Sequence, residues 1–370
     1  MNPLQQAMRD IIRQAGPITF ERFMAMALYY PGYGYYTSGR QRTGVEGDYY
    51  TAPYASSLMG MVLARQIAEL FALLGKPEPF TVVEVGAGSG KMADGILEAM
   101  LRWHRDVYDA VRYVIVERQK DLAVDHHGKI EVQGDISDIG PVTGCILSNE
   151  LFDALPIHLV VMQDRLYEVC VTMRDDRFQE VLVPAGDELT GHLDSIGVAL
   201  PAGMRTEINL QAGRLIKAMA SALQHGYVLT IDYGYTSAEY YAPARTCGTL
   251  VCYHGHRVDD DPYSFVGEKD ITSHVDFTSL AGWGREASME IIGYVRQRDF
   301  VMSLGYDELL AKIKDIVRDP VAYYRLTSAS KFLIMPEAMG DLFKVLLQYR
   351  GEKRSPVPAG FTHRNSVSSL

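Results

Sequence analysis

The chain has 370 residues, 47% of them hydrophobic, which suits one large domain with insertions or two domains. Its 36 basic and 46 acidic side chains give a net charge of −10, so the composition argues against a nucleic-acid partner. No apolar run reaches the roughly 18 residues that a membrane helix needs, which argues against a membrane partner.

The N-terminal segment, residues 1 to about 55, combines two helical patterns with a stretch rich in tyrosine and glycine. The first helix follows the apolar period that begins at Leu4 and ends at Ile12. Thr19 is the predicted N-cap of the second helix, and Pro31 and Gly32 end it. Because glycines alternate with aromatic residues after that point, we expect close-packed loops and assign the segment as a lid.

Residues 56–350 alternate between helix and strand patterns, which predicts an α/β domain with a parallel sheet covered on both faces. The predicted strands are 80–85, 113–116, 130–132, 145–148 and 227–231. The predicted helices are 56–74, 91–103, 119–124 and 210–223. Short strands separated by charged turns predict an inserted antiparallel meander over about 157–184, and a later insertion spans about 240–285. The polar residues 351–370 predict a flexible tail.

A glycine loop follows the first of these strands directly, in the run Glu84-Val85-Gly86-Ala87-Gly88-Ser89-Gly90. Glycines at such a turn permit tight backbone angles and the close approach of a ligand. Lys91 stands where a dinucleotide fingerprint has its third glycine, and the ending of a phosphate-binding P-loop is missing. The loop requires no anion and fits the adenosine and methionine parts of S-adenosylmethionine, although a tight turn without a ligand is the alternative. The predicted cofactor-binding residues of this run are Glu84, Gly86, Ala87, Gly88 and Gly90.

Acidic residues follow the next two strands. Glu117 comes 33 residues after Glu84 and is predicted to accept both ribose hydroxyls, unless it is an ordinary exposed strand-end acid. Asp135 is predicted to accept from the adenine amino group, although aspartate also favours turns for local reasons. Asp48, in a glycine-flanked loop, is predicted to close over the cofactor or to cap a turn.

The fourth strand leads into the motif Asn149-Glu150-Leu151-Phe152-Asp153-Ala154-Leu155-Pro156-Ile157-His158. It carries two carboxylates, one amide and one imidazole within ten residues. Ligands of open α/β sheets bind beyond the carboxyl ends of the strands, so we expect this motif to contact the methyl acceptor.

These motifs, together with the run from Gly47 to Pro53 and Ile231-Asp232-Tyr233-Gly234, resemble the MidA-like methyltransferases. That family includes the mitochondrial complex I assembly arginine methyltransferase and bacterial relatives, and the resemblance runs from about residue 3 to 345. It implies a class I (Rossmann-like) methyltransferase core with a helical N-terminal region and inserted β/α elements. It also implies S-adenosyl-L-methionine as cofactor and a protein substrate with an accessible arginine. Tyr54 stands where the family commonly has a glutamate, which puts substrate choice in doubt.

Methylation of arginine would give the motif a function, because a pair of carboxylates can hold a guanidinium by bidentate contacts. Glu150 and Asp153 are three residues apart and would converge if their segment forms a helical turn. His158 is predicted to accept the released proton, or is a polar strand residue. Asn149 is predicted to bond cofactor or acceptor, or to stabilise a turn. Asp232, at the end of strand 227–231, could join the acceptor pocket or be solvated.

No metal site is predicted. The cluster of histidines and aspartates between His254 and Asp261 has no diagnostic spacing and favours a polar loop. Two other functions stay open, a small-molecule methyltransferase and a cofactor-binding assembly factor with little turnover. Because the sequence has no apparent Arg-rich transit peptide, a bacterial cytoplasm is the expected location, with the mitochondrial matrix for a processed eukaryotic chain.

Overall fold

A computed structural model describes residues 2–39, 53–118 and 125–370, with the side chains of 53–57 excepted. Asp48 and the predicted helix 119–124 lie outside the described residues. The chain forms two compact units. Unit 1 comprises Met1–Tyr50, Phe152–Arg214 and Tyr235–Ser279, and unit 2 comprises Thr51–Leu151, Leu215–Gly234 and Leu280–Leu370.

The strands, in chain order, are β1 Ile18–Thr19, β2 Phe80–Val85, β3 Val111–Val116, β4 Ile130–Gln133, β5 Val142–Asn149, β6 His158–Met162, β7 Leu166–Arg174, β8 Arg177–Pro184, β9 Arg205–Ile208, β10 Leu223–Tyr235, β11 Val251–His254, β12 Arg257–Asp259, β13 Asp270–Thr272, β14 Val275–Asp276, β15 Glu290–Arg296 and β16 Phe343–Arg350. The helices are α1 Pro3–Ala15, α2 Phe20–Tyr29, α3 Pro53–Leu73, α4 Lys91–Trp103, α5 Arg105–Ala110, α6 Asp187–Ser195, α7 Leu210–Ala222, α8 Ser237–Tyr240, α9 Phe277–Glu286, α10 Gln297–Ser303, α11 Tyr306–Ile316 and α12 Pro320–Ile334.

Unit 2 is built on a sheet with the strand order β4-β3-β2-β5-β10-β16-β15. The first five of these strands are parallel, and β16 runs antiparallel to both of its neighbours. The chain proceeds from β2 outward through β3 and β4, then returns to place β5 on the other side of β2. This reversal of strand order is the switch point at which open α/β sheets bind ligands.

Both faces of this sheet are buried, so the side chains that point to either face of its strands are mostly apolar. Every residue of β2 is buried, as are Tyr113, Val114 and Ile115 of β3. Helices α3 and α4 pack on the sheet through Leu63 and Ile96, which are fully buried. The parallel order and the covered faces follow the α/β prediction.

Unit 1 contains an antiparallel sheet of order β1-β7-β6-β9 with β8 beside β7, and a small sheet of order β12-β11-β13. Strands β6, β7 and β8 occupy the stretch for which a meander was predicted. Helices α1 and α2 bury Leu4, Met8 and Phe23 in one core with Leu159 and Val169 of this sheet. The described part of the N-terminal segment is therefore packed into a folded unit, and its function as a lid stays a prediction.

The C-terminal residues differ from the predicted flexible tail. Phe361 is fully buried, and a Cβ atom added at Gly293 of β15 would lie 2.1 Å from its ring. The amide of Ala359 donates to the carboxylate of Glu69 in α3, and Asn365 accepts from the amide of Tyr294. The polar composition of residues 351–370 suggested mobility. The segment is held by a single buried aromatic residue, Phe361, and one such residue produces no periodic pattern in the sequence.

Candidate cofactor site of unit 2

The glycine loop joins β2 to α4 and adopts backbone angles that only glycine accepts without strain. Gly86, Gly88 and Gly90 have φ angles of +75°, +56° and +76°. A Cβ atom at Gly86 would lie 2.7 Å from Cδ1 of Leu151, so the turn after β5 packs directly on the loop. Ala87 is half-buried, and its carbonyl accepts from the amide of Gly90 at the start of α4.

Glu84 is the penultimate residue of β2 and is buried, with 1% of its surface exposed. The Tyr113 hydroxyl donates to its Oε2 atom over 2.6 Å, whereas Oε1 is buried with no hydrogen-bond partner among the described residues. Burial raises the pKa of Glu84 to about 7, although the Tyr113 hydrogen bond opposes the rise and Glu117 adds to it. A buried oxygen without a donor is costly, so a ligand that donates here would be favoured.

The two acids at the neighbouring strand ends are more accessible. Glu117 is half-buried, and its Oε2 atom accepts from the amide of Gly88 over 3.1 Å, which ties this carboxylate to the glycine loop. Asp135 is exposed and caps a short 3-10 turn, where its Oδ1 accepts from the amide and hydroxyl of Ser137. These bonds lower the pKa of Asp135. Capping this turn is the alternative to an adenine contact for Asp135. Both capping bonds use Oδ1 alone.

The turn after β5 is held by β10. The amide of Glu150 donates to the carbonyl of Ile231, and the amide of Leu151 donates to the fully buried carboxylate of Asp232. Glu150 is exposed and has a φ angle of +50°, while Asn149 donates to its Oε1 over 3.2 Å. A left-handed φ at a non-glycine residue costs free energy and marks a position that the surrounding structure holds in place.

This geometry corrects the predicted convergence of Glu150 and Asp153 and excludes the solvated alternative for Asp232. A left-handed residue cannot begin a right-handed helical turn, so Glu150 and Asp153 do not converge in that way. Asp153 belongs to unit 1, where it is buried and its carbonyl accepts from the amide of Ser273. Asp232 is not a solvated acid, because it binds the amides of Leu151 and Tyr233.

His158 also belongs to unit 1, as the first residue of β6. Its Nδ1 lies 2.6 Å from Oε1 of Glu168 in β7, and both side chains are largely buried. A carboxylate at Nδ1 orients the ring and favours the tautomer with the proton on Nδ1. His158 is thus a paired histidine whose Nε2 is the nitrogen able to accept a proton.

A buried lysine contacts the acidic loop that follows β12. The ammonium of Lys269 contacts both oxygens of Asp259, the carbonyl of Asp261 and the hydroxyl of Ser264. Only 1% of the Lys269 side chain is exposed. Among the described residues, no group of three or more His, Cys, Asp or Glu side chains is arranged to hold a metal.

Sequence reasoning missed Tyr113 and Lys269. Tyr113 lies opposite Val82, two residues along β2 from Glu84 and therefore on the same face of the sheet, so its hydroxyl can reach that carboxylate. The signal was a tyrosine inside an otherwise apolar strand, because a buried phenol needs a hydrogen-bond partner. For Lys269 the signal was a lysine close in sequence to three acids, Asp259, Asp260 and Asp261.

A family model described as "Putative S-adenosyl-L-methionine-dependent methyltransferase" matches residues 62–295, more than half of the chain. The chain belongs to this methyltransferase family. The methyltransferase is 24% identical over 379 residues to the "Protein arginine methyltransferase NDUFAF7, mitochondrial" of Mus musculus, covering 93% of this chain and 83% of the relative. The Homo sapiens protein of the same name is 24% identical over 390 residues, with 92% and 83% covered.

A solved structure from Burkholderia thailandensis, described as a "likely methyl transferase" bound to S-adenosyl-homocysteine, is 30% identical and has a TM-score of 0.87. It covers 99% of this chain and 96% of its own. The predicted α/β methyltransferase fold and the cofactor S-adenosylmethionine are thereby confirmed. No helix in the described part of the methyltransferase is long and apolar enough to span a membrane.

The side chains at the strand ends fit this cofactor chemically. The unpartnered Oε1 of Glu84 suits an ammonium group, and the Glu117 carboxylate, which only accepts hydrogen bonds, suits a diol. The positive φ angles and missing Cβ atoms of the loop leave room for close approach between them.

Proposed function

We propose that the methyltransferase transfers a methyl group to an arginine of a protein substrate, and that Glu150 binds the guanidinium. The observation that supports this proposal is the exposed side chain of Glu150. Its backbone is held in a left-handed conformation, next to Leu151, which packs on Gly86. The named relatives, at about 24% identity over most of both chains, are protein arginine methyltransferases, which supports an arginine acceptor.

The cofactor site is proposed to consist of the residues predicted from the sequence. Oε1 of Glu84 would accept from the cofactor's amino group, Glu117 from the ribose hydroxyls and Asp135 from the adenine amino group, with Oδ2 as the acceptor. The backbone of Gly86, Ala87, Gly88 and Gly90 would line the space between these acids. When bound, the cofactor supplies an electrophilic methyl group on its sulfonium sulfur.

Glu150 would orient one guanidinium nitrogen for in-line attack, since positioning is the main demand of such a displacement. The nitrogen–carbon bond forms as the sulfur–carbon bond breaks, and one proton must leave the nitrogen. Asn149, which donates to Oε1 of Glu150, would fix that carboxylate. Asp153 remains proposed as a second acid for the acceptor, although the helical-turn argument for it does not hold.

His158 is proposed to take the released proton at Nε2, with Glu168 holding the ring. Replacing Glu168 by Gln should then lower the maximal transfer rate and move the pH profile of that rate. A merely structural pair would change the stability of unit 1 without moving the pH profile, and that result would remove His158 from the mechanism.

The decisive experiment is methyl transfer from labelled S-adenosylmethionine into a lysate of cells lacking this protein, followed by hydrolysis and identification of methylated residues. Wild-type enzyme should label a protein band that contains methylarginine. Glu150→Gln should abolish the label while binding S-adenosylhomocysteine with wild-type affinity, because Glu150 is exposed and outside the cofactor contacts. Label only in small molecules, or binding without any transfer, would instead support the two other functions.

We also propose a cellular location for the protein. The named relatives are mitochondrial, which agrees with a matrix location if the source is eukaryotic. A bacterial cytoplasm remains the prediction for a bacterial chain, and cell fractionation with an antibody to the protein tests both.

A further inference from the structure

The exposed apolar side chains of unit 2 are concentrated around α12. Among the described residues, thirteen large hydrophobic side chains are exposed, and six of them lie between positions 302 and 335. Those six are Met302, Ile316, Val321, Tyr324, Phe332 and Met335. A concentration of this kind marks an interaction surface, whereas single exposed hydrophobic residues are ordinary.

Four of the six, three in α12 and Met335 at its C-cap, form a stripe that is symmetric about Ser328. Val321 and Tyr324 lie seven and four residues before Ser328, and Phe332 and Met335 lie four and seven residues after it. At 3.6 residues per turn, all four point within about 40° of the Ser328 direction. The helix's other face is already used, because Leu326 and Leu333 are buried in the core of unit 2.

We propose that this stripe is a homodimer interface, in which α12 packs antiparallel against α12 of a second copy around a two-fold axis at Ser328. In that arrangement Val321 meets Met335 of the partner subunit, and Tyr324 meets the partner subunit's Phe332. The small Ser328 side chain sits where the helices cross and lets them approach closely. A two-fold axis requires a surface complementary to itself, and this symmetric spacing provides one.

The size of the patch suits such a pair. Aromatic side chains offer roughly 150–250 Å² each, so Tyr324 at 71% exposure and Phe332 at 56% leave about 250 Å² in water. Val321 and Met335 extend this apolar area, and the polar side chains around the stripe would supply the rest of the roughly 800 Å² per partner that a stable interface buries. Antiparallel packing also sets opposite helix ends, and therefore opposite dipole ends, side by side.

Charges near the two ends of α12 are complementary in the same arrangement. Exposed Arg318 precedes the helix and exposed Glu337 follows it, and neither forms an ion pair within the described residues. An antiparallel pair places Arg318 of one copy at the same end as the partner subunit's Glu337. Asp319, also at that end, already caps α12 by accepting from the amides of Val321 and Ala322.

The first test is the molar mass of the full-length protein in solution by light scattering during gel filtration. At tens of micromolar, the wild type should run at twice the 41.3 kDa chain mass. Phe332→Asp should run as a monomer, because it places a charge in the apolar stripe. Val258→Asp is the matched control, since Val258 is 65% exposed in unit 1, and it should remain dimeric. A monomeric wild type, or a dimeric Phe332→Asp, overturns the proposal.

Cysteine cross-linking tests the axis itself. Cys247 is the exposed one of the four cysteines, so Cys247→Ser provides the background. Ser328→Cys should form a disulfide with its own copy. Tyr324→Cys should not, because two copies of position 324 lie about 12 Å apart along the helices, but a mixture with Phe332→Cys should cross-link. Self-linking of Tyr324→Cys as efficient as that of Ser328→Cys contradicts the two-fold packing, whatever the mass experiment shows.

Discussion

The hydroxyl of Tyr113 in β3 donates a 2.6 Å hydrogen bond to Oε2 of Glu84 in β2, and both side chains are buried in the sheet of unit 2. This bond satisfies one carboxylate oxygen and leaves Oε1 as the acceptor for a ligand. It therefore links the core of the sheet to the proposed cofactor site, and two of the predictions below depend on it.

Glu84 should make stability fall with pH. Burial raises its pKa to about 7, whereas in the unfolded chain it titrates near 4.5. The folded protein therefore holds a proton between those values that the unfolded chain releases, and its stability declines as the pH rises through this window, by at most about 1.4 kcal/mol per unit. Glu84→Gln carries no such penalty, so it should melt higher than the wild type at pH 8 and equally at pH 4.5. A variant that melts lower at pH 8 contradicts the assignment.

Tyr113→Phe should weaken cofactor binding and move its pH dependence. Loss of a hydrogen bond to a charged group costs about 1.5–3 kcal/mol, so we expect S-adenosylhomocysteine to bind at least tenfold more weakly near pH 7. The pKa of Glu84 would rise further, so the weakening should be greater at pH 6.5 than at pH 8.5. Calorimetry across this range measures both effects. Tyr108→Phe is the control, because Tyr108 is buried in the same unit and its hydroxyl makes no bond among the described residues. A wild-type pH midpoint in Tyr113→Phe would refute the role.

Gly86→Ala should destabilise unit 2 and abolish cofactor binding. The φ angle of +75° costs an alanine about 1–3 kcal/mol, and the new methyl group would lie 2.7 Å from Leu151. Gly282→Ala is the control, because Gly282 is inside α9 with nothing within 4 Å of an added Cβ. The control should gain up to about 1 kcal/mol from helix propensity. Thermal melting with and without S-adenosylhomocysteine separates the two losses, and an unchanged melting temperature for Gly86→Ala would show the loop to be adaptable.

Phe361→Ala should cost about 3–5 kcal/mol of unfolding free energy, because it removes a fully buried aromatic ring from unit 2. The ring packs on Phe300 with centroids 5.4 Å apart. Val357→Ala, four residues earlier and 49% exposed, should change stability by less than about 0.5 kcal/mol. Chemical denaturation measures both. Equal, small effects would restore the prediction of a flexible tail.

The strands and helices of unit 2 could be predicted because each depends on the pattern of residues next to one another in the sequence. Strand 80–85 and helix 91–103 were predicted with the bounds that the structure gives to β2 and α4. Apolar periodicity predicts such elements, and the glycines at positions 86, 88 and 90 indicate the positive φ angles of the loop. The acids at the strand ends followed from the same pattern, since parallel strands present their carboxyl ends at one edge.

The sequence by itself determined the fold class, the glycine loop and the acids after each strand, because these depend on residue periodicity and on backbone angles within a few residues. Only the tertiary structure decided what those acids contact. Tyr113, 29 residues from Glu84, donates a hydrogen bond to that carboxylate, and Asp232, 81 residues from Leu151, holds the turn that carries Glu150. It also showed that Glu150 is left-handed and that Asp153 belongs to another unit. Hydrogen bonds between distant strands leave no periodic trace in the sequence, so burial and partners become known only when the strands are assembled.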